Sequence, residues 1–433
     1  LAEDLQIGTD NLAKWLHELD VTSPERTARI DRLESIPRRT AAQQDALDAL
    51  REQQRRWSFT PGQLVIIDES SLAGTLDLDR LTETATKAGA KVLLVGDHAQ
   101  LGAVDTGGAF AMLTRDRGQS LPQLTDVRRF RNEWERDASL AFRRGDHAAV
   151  AAYADRGRVH GGTRESALDD LYRAWAADTA AGKTSLMIAA DTDTVRDLNA
   201  RAHADLSAAG HVTGPELPLA TREHAAAGDL IVTRRNDRTL PTGGRGWVKN
   251  GDVFRVRSVH DDGSLTVARE GSHGLVTLPP EYAAQHVQLG YAVTAHRSQG
   301  RTVDTAHAYL DATTSREVAY VTATRGRHAN HLYLDVEQPH GDPEAAHGPA
   351  PTTTPQAVLA TVLDNATAET SAHDTAATHA QAEHSLGVLK AQYEAIAQRY
   401  EQDHWDQVIA SIGLTPEQVH QVASSPRSEE RRV

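Results

Sequence analysis

Two short apolar runs in this chain end in acid. LVIIDESS at 64–71 closes on Asp68 and Glu69, and KVLLVGDHAQLGAV at 91–104 closes on Gly96 and Asp97, with Gln100 in the same turn. Carboxylates at the C-terminal exit of a buried strand lie where open α/β sheets gather ligands. One carboxylate there suits Mg²⁺ held through water, and its neighbour suits orientation of a water for attack on a phosphoryl group. A Gln at the next strand exit reaches a γ-phosphate. An Asp-Glu pair by itself reads equally well as a capped turn. The second acidic exit, one crossover helix away (LDLDRLTETATKAGA), gives the pair its chemistry.

Further along, AVTAHRSQGRT at 292–302 and YVTATRGR at 320–327 put a Ser298-Gln299-Gly300 turn and Arg325 beside strand and helix signals. A guanidinium is planar, always charged and suited to the charge that develops in phosphoryl transfer. By itself Arg325 also fits a surface cap, and Ser-Gln-Gly is ordinary turn chemistry. The stretch 234–257 carries seven basic residues against two acidic, with Trp247 among them. Arg234, Arg235, Arg245, Lys249 and Arg257 with that Trp read either as phosphate contacts beside a stacking face or as a solvated rim around a packed ring. Gly182-Lys183-Thr184 looks like the tail of a phosphate loop, but Ala177 stands where its first Gly belongs. Its context, helix before and strand after, is also reversed. It reads as a helix-ending turn. HANH at 328–331 has two His in a predicted turn without an acidic partner and reads as structural.

The elements that must position these residues follow from periodicity. Residues 1–63 read as charge-laced helices, and 64–115 alternate strand and helix as a parallel sheet does. A second alternating region runs from about 120, is interrupted at about 225–285 by short β runs with GG, NG and DDG turns, and resumes to 336. Beyond 338 a Pro, Ala, Thr and acidic composition predicts a disordered linker, with a helix returning at 384–412. The chain of 433 residues has net charge −14 and no Cys, which excludes disulfides and thiolate metal sites. Residues 328–389 hold eight acidic residues and no Lys or Arg, so the acid is concentrated. No apolar run is long enough for a membrane helix, and no secretory signal opens the sequence.

Taken in order, these motifs resemble superfamily 1 helicases of the RecD-like branch, most of all the helicase portion of conjugative relaxase–helicases (TraI/TrwC, MobF type), over about 1–336. The resemblance implies an α/β fold of two RecA-like P-loop NTPase domains, the first incomplete. It also implies a small inserted SH3-like β-barrel, and the tail is expected to be partly disordered and partly helical. The expected domains are 1–118 (motifs II and III), 119–338 (motifs IV, V and VI, with the insertion at about 225–285) and 339–433. Asp68 and Glu69 match motif II, with Mg²⁺ on Asp68; Gly96, Asp97 and Gln100 match motif III. Arg129, with Arg128 beside it, matches the phosphate-contacting arginine of motif IV, and Arg325 the arginine finger of motif VI. Thr294, His296, Ser298 and Gln299 fall on motif V positions that contact DNA or link it to the nucleotide. Gly300, in the same turn, joins Gly96, Asp97 and Arg128 as the nucleotide contacts that the resemblance implies, and Trp247 belongs to the DNA cover.

The family resemblance implies ATP and Mg²⁺ as cofactors, single-stranded DNA and conjugation or recombination proteins as partners, 5′→3′ movement and a cytoplasmic location. Motifs I and Ia are not found, so the expectation is a chain cut upstream of Leu1 and inactive alone. A stand-alone repair or recombination helicase and a non-catalytic DNA-binding scaffold are the alternative readings.

Overall fold

In the computed structural model the described residues are 9–102, 108–124, 128–242, 246–269, 274–337 and 353–366, with 390, 393, 411, 413 and 418. Contacts divide the chain into Leu1–Glu369 and Thr370–Val433. In the second unit Lys390, Tyr393, Ser411 and Gln418 are helical and Gly413 turns with φ +70°. The rest of the expected helix at 384–412 lies outside the described residues, as do Arg245 and the start of the expected linker.

The first unit opens with α1 (Leu12–His17), α2 (Ser23–Glu34) and α3 (Ala41–Arg56). α3 starts at a reciprocal cap, in which the Thr40 side chain accepts from Gln43 N and the Gln43 side chain accepts from Thr40 N. β1 (Leu64–Ile67), α4 (Thr75–Lys87) and β2 (Lys91–Leu94) then form a parallel crossover in register Leu64↔Lys91 to Ile67↔Leu94. Period-2 alternation sends Val65, Ile67 and Val92 against Phe59, Leu81 and Ala85. The other face leaves Leu64, Ile66 and Leu93 55, 39 and 46% exposed. Parallel sheets are normally covered on both faces. Among the described residues this one is covered on one, and α5 (Ala109–Arg117) closes the region.

The second α/β layer begins with α6 (Glu133–Arg144), α7 (Ala148–Ala154), β3 (Val159–Gly162), α8 (Arg164–Ala180), β4 (Ser185–Ala189) and α9 (Thr192–Ala208). The chain then detours through a β-rich insert. Its strands are β5 (Thr213–Pro218), β6 (His224–Ala227), β7 (Leu230–Thr233), β8 (Asp237–Pro241) and β9 (Trp247–Val248). β10 (Val253–Val259), β11 (Leu265–Ala268), β12 (Leu275–Leu278), α10 (Pro280–His286) and β13 (Val287–Leu289) complete it. β14 (Ala292–Thr294), α11 (Ala295–Ser298), β15 (Val303–Leu310), α12 (Arg316–Thr322) and β16 (Gly326–Asp335) return to the layer. Its sheet is all parallel in the order β14-β4-β15-β16-β3.

β4 shows why the sequence reads as a continuous apolar run. Leu186 and Ile188 enter one buried cluster while Met187 and Ala189 enter the other, so both faces are covered. The cluster on the Met187 face continues into the insert through Ile231, Phe254 and Leu289. The insert's main sheet runs β12-β11-β10-β7-β13 and is antiparallel. Among the described residues its order is linear, with β12 and β13 as edges, and it does not show the small SH3-like barrel that was expected. Its strands span 213–289, wider than the turn signals implied.

One expectation is corrected at the C-terminal side. α13 (Pro355–Asp364) lies within the stretch read as linker, and it is docked. Thr354 caps it by accepting from Ala357 N, Leu359, Val362 and Leu363 are fully buried, and Arg316 Nε donates to the Leu363 carbonyl at 2.6 Å. The Pro, Ala and Thr composition around it masked a short apolar helix. Among the described residues no helix is long and apolar enough to cross a membrane.

Candidate functional site

β1 delivers Asp68 and Glu69 into a turn. Glu69 takes a left-handed backbone, φ +52° and ψ +41°, costly for a residue with a Cβ. The turn is fixed from both sides: Ser70 N donates to Val95 O at 2.8 Å and Ser70 Oγ to Ile67 O at 2.7 Å. Gly96 lets the two strand exits approach, since a Cβ there would lie 3.1 Å from Ser70 N and 3.2 Å from Ser71 N. Asp68 Oδ1 accepts from Glu69 N at 3.0 Å, and Asp68 is exposed. Across the cleft, Gln299 Nε2 donates to Glu69 Oε2 at 3.3 Å.

Asp97 behaves differently from the nucleotide ligand expected of it. Both of its oxygens are taken by protein. Oδ1 accepts from Arg143 Nε at 2.9 Å and Ala99 N at 3.2 Å; Oδ2 accepts from Tyr320 OH at 3.0 Å and Gln100 Nε2 at 3.3 Å. Burial pushes its pKa up, but Arg143 and these donors outweigh burial and hold it below the usual range. Asp97 therefore ties the β2 exit to α6 and α12. Neither Arg143 nor Tyr320 was singled out by sequence, because only the fold brings them to residue 97.

The arginines come from a zipped pair of segments. Arg129 Nη1 donates to Thr324 O at 2.5 Å, Arg131 N to Arg327 O at 2.9 Å and Asn132 Nδ2 to His328 O at 3.0 Å. Below them Glu135 Oε1 accepts from Asn330 N at 3.0 Å and Nδ2 at 2.8 Å, and Asn330 Oδ1 accepts from Gly326 N at 2.6 Å. Glu135 and Asn330 are fully buried, and nothing in their local sequence marked them. Of the adjacent pair, Arg129 turns inward and Arg128 is exposed.

Arg325 is 1% exposed. Its Nε donates to Val321 O at 2.7 Å, Nη2 to Thr324 Oγ1 at 2.8 Å and Nη1 to Ser298 O at 3.4 Å. Burial first, then the charge of Arg129, pushes its pKa down to about 9, while Glu69 pulls the other way. Burial also lowers Arg129, and Glu69 again opposes. The carboxylate of one layer thus acts on both guanidiniums of the other.

The turn that carries Arg325 is tight. A Cβ on Gly326 would stand 2.1 Å from the Ala329 carbonyl oxygen. Gly326→Ala is expected to cost about 1–3 kcal/mol through overpacking against backbone, read as a lower thermal midpoint. An unchanged midpoint would show that the turn yields freely.

The AAA domain family matches residues 1–164. The conjugal transfer protein TraA of Rhizobium radiobacter is 31% identical over 274 residues, 62% of this chain and 24% of that protein. An uncharacterized Mycobacterium tuberculosis protein is 36% identical over 123 residues, 28% of this chain and 68% of its own length. The chain is thus a relative of the conjugal transfer proteins, with an AAA domain over residues 1–164. It spans about a quarter of the length of the curated conjugal transfer relatives it matches. Pif1 helicase from Bacteroides, solved with ADP-AlF3 and ssDNA, covers 64% of this chain and 71% of its own at 16% identity. Its TM-score is 0.44.

The residues matched to motif V separate. Thr294 is half-buried at the β14 exit and His296 is exposed on α11. Ser298, expected on the DNA path, is fully buried, and its hydroxyl donates to Ala295 O at 2.7 Å. Its side chain shapes α11, and its carbonyl receives Arg325. Gln299 faces Glu69, and exposed Gly300 turns the chain at φ +77°. Trp247 is half-buried with Arg238 and Lys249 over its ring at 4.9 and 5.8 Å, so cations already cover its π-system.

The phosphate-loop decoy is the helix-ending turn that its context predicts. Gly182 sits at φ +79°, Lys183 pairs with Asp178 at 2.6 Å, and Thr184 Oγ1 donates to Asp304 at 2.8 Å. HANH is in β16 and not in a turn. Its His331 stacks between His160 and His307, and no metal-binding cluster occurs among the described residues.

Proposed function

We propose that this chain is the motor segment of an ATP-dependent DNA helicase or translocase, moving 5′→3′ on single-stranded DNA, in a conjugative relaxase-type protein for plasmid transfer. One observation carries the reading: Glu69 stands opposite Gln299 and within the field of Arg129 and Arg325, donors from the other α/β layer. An acid that orients water and guanidiniums that stabilise the transferring phosphoryl must converge in this way. The kinship to conjugal transfer proteins supports the plasmid-transfer role, and the resemblance to the RecD-like branch supports the polarity.

In this reading the residues divide the work. Asp68 is exposed, and the amide of Glu69 is its hydrogen-bond donor, which suits it to hold hydrated Mg²⁺. Bound Mg²⁺ would neutralise phosphate charge during transfer. Glu69 orients the attacking water, and Gln100 reports the γ-phosphate. Arg129 and Arg325 stabilise charge from the second layer. Thr294 and His296 hold the single strand, and Gln299 links that strand to Glu69. Asp97, bound by Arg143 and Tyr320, couples the two layers. The sequence holds no GxxxxGK[ST] loop, so turnover depends on a phosphate cradle supplied by residues outside it, and this segment alone is inactive.

The test is Glu69→Gln in a longer form that includes such a loop. Turnover stimulated by single-stranded DNA is expected to fall by about 10²–10⁴ while nucleotide binding persists. Turnover near the unsubstituted rate would reject Glu69 as the residue that orients water.

A further inference from the structure

We propose that the cavity between the β-rich insert and the second parallel sheet is a phosphate subsite for single-stranded DNA, held by Arg234 and Arg297. It deepens the DNA reading above and rests on it. The cavity measures about 70 Å³ and is lined by Arg234 at the end of β7, Arg297 of α11, Gln288 of β13, Val293 of β14 and Thr192 of α9. A single water needs about 10–15 Å³ in this measure, so a phosphate group fits.

The charge arrangement calls for an anion. Both guanidiniums are half-buried, burial pushes both pKa values down, and the charge of Arg297 pushes Arg234 lower still. Arg297 Nη1 donates to the neutral Gln288 Oε1 at 2.8 Å, and among the described residues Arg234 has no side-chain hydrogen bond or ion pair. The one carboxylate in the lining, Glu223, is 6% exposed and accepts from Thr221 Oγ1 at 2.5 Å. Burial pushes its pKa up, and among the described residues it forms no ion pair with Arg234 or Arg297. Two like charges withdrawn from water with no carboxylate paired to them are unfavourable until an anion arrives. Arg297 also neighbours the exposed His296, and Arg234 begins the cationic stretch 234–257, so a chain of phosphates has further contacts beyond the pocket.

The experiment is a salt titration of oligo-dT binding to this chain and to Arg234→Gln and Arg297→Gln, with melting of each in the absence of DNA. Each substitution is expected to reduce the slope of log affinity against log salt by about 0.7, the value for one single-strand phosphate contact. Because each also relieves like-charge repulsion, the DNA-free midpoint is expected to hold or rise; an arginine with a merely structural role would lower it. Folded variants that keep the original slope overturn the subsite while the DNA reading stands. A chain that binds no oligonucleotide at low salt overturns both. Inorganic phosphate that raises the midpoint of the unsubstituted chain, with the DNA slopes unchanged, would assign the pocket to free phosphate and overturn the DNA subsite.

Discussion

Lowering the pH from 7 to 4 is expected to cost this chain on the order of 3 kcal/mol of folding stability through one imidazole alone. His307 is 1% exposed and lies between Asp178 Oδ2, 3.0 Å from its Nε2, and Tyr333 OH, 3.2 Å from its Nδ1. Burial pushes its pKa from 6.5 down to about 4, against the pull of Asp178. Its neighbour His331, ring centroid 5.2 Å away, is pushed to about 3, by burial first and then by the charges of His307 and Arg158. Geometry explains the reluctance: Arg158 Nη1 donates to His331 Nε2 at 2.7 Å, so a proton there would set donor against donor. The remaining ring nitrogen meets His160 Nε2 at 3.1 Å.

Both rings hold a proton less readily folded than unfolded. Between pH 6.5 and about 4 the unfolded chain therefore takes up more protons, and each step down favours it. The penalty is absent above the unfolded pKa and complete below the folded one. Asp178, held at about 2 by its donors despite burial, acts in the same direction at still lower pH. Urea unfolding at pH 7 and pH 4 measures the loss, and His307→Gln, which keeps a donor toward Asp178 but does not titrate, isolates the ring. If the variant loses as much between the two pH values as the unsubstituted chain, the imidazole stack is not the cause.

That stack also shows where sequence reading stops. The carboxylates at 68 and 69 were legible because a strand of four apolar residues and its exit are local, and so was the order of later motifs. HANH was misread as a turn because its role depends on strand register: His307 opposite His331 in β15 and β16. His160 on β3, which pairs with Tyr333 and so lies two residues out of register from His331, completes the stack. Asp97 looked like a nucleotide ligand because its partners, Arg143 and Tyr320, lie on helices that only the packed fold brings to it. Ser298 looked like a DNA contact because its motif was legible, while its burial against Ala295 was not. The α13 helix was hidden for a compositional reason: Pro and Thr read as linker although Thr354 and Pro355 open a helix there. Local chemistry could be read from sequence, but contacts between distant segments could not.

Arg325→Lys, in a form that turns over ATP, is expected to reduce turnover stimulated by single-stranded DNA by about 10³ or more, toward the range for loss of an arginine finger. The guanidinium uses three directions at once, toward Val321 O, Thr324 Oγ1 and Ser298 O. A Lys ammonium has neither the planar fork nor the reach to hold them together, and it loses its proton more readily when buried. The native charge is already held down to about 9 by burial and by Arg129, with Glu69 the carboxylate that opposes this. A triphosphate entering between Glu69 and Arg325 would supply the missing negative charge, so the interaction should strengthen as charge develops on the transferring group. The loss is therefore expected mainly in kcat and less in KM. Because Nη1 also meets the Ser298 carbonyl, one residue before Gln299, the same substitution should remove the dependence of rate on DNA. A residue that only supports the fold would lower the midpoint and leave both kcat per folded molecule and DNA stimulation intact. That result would return Arg325 to the role of a buried cap on α12.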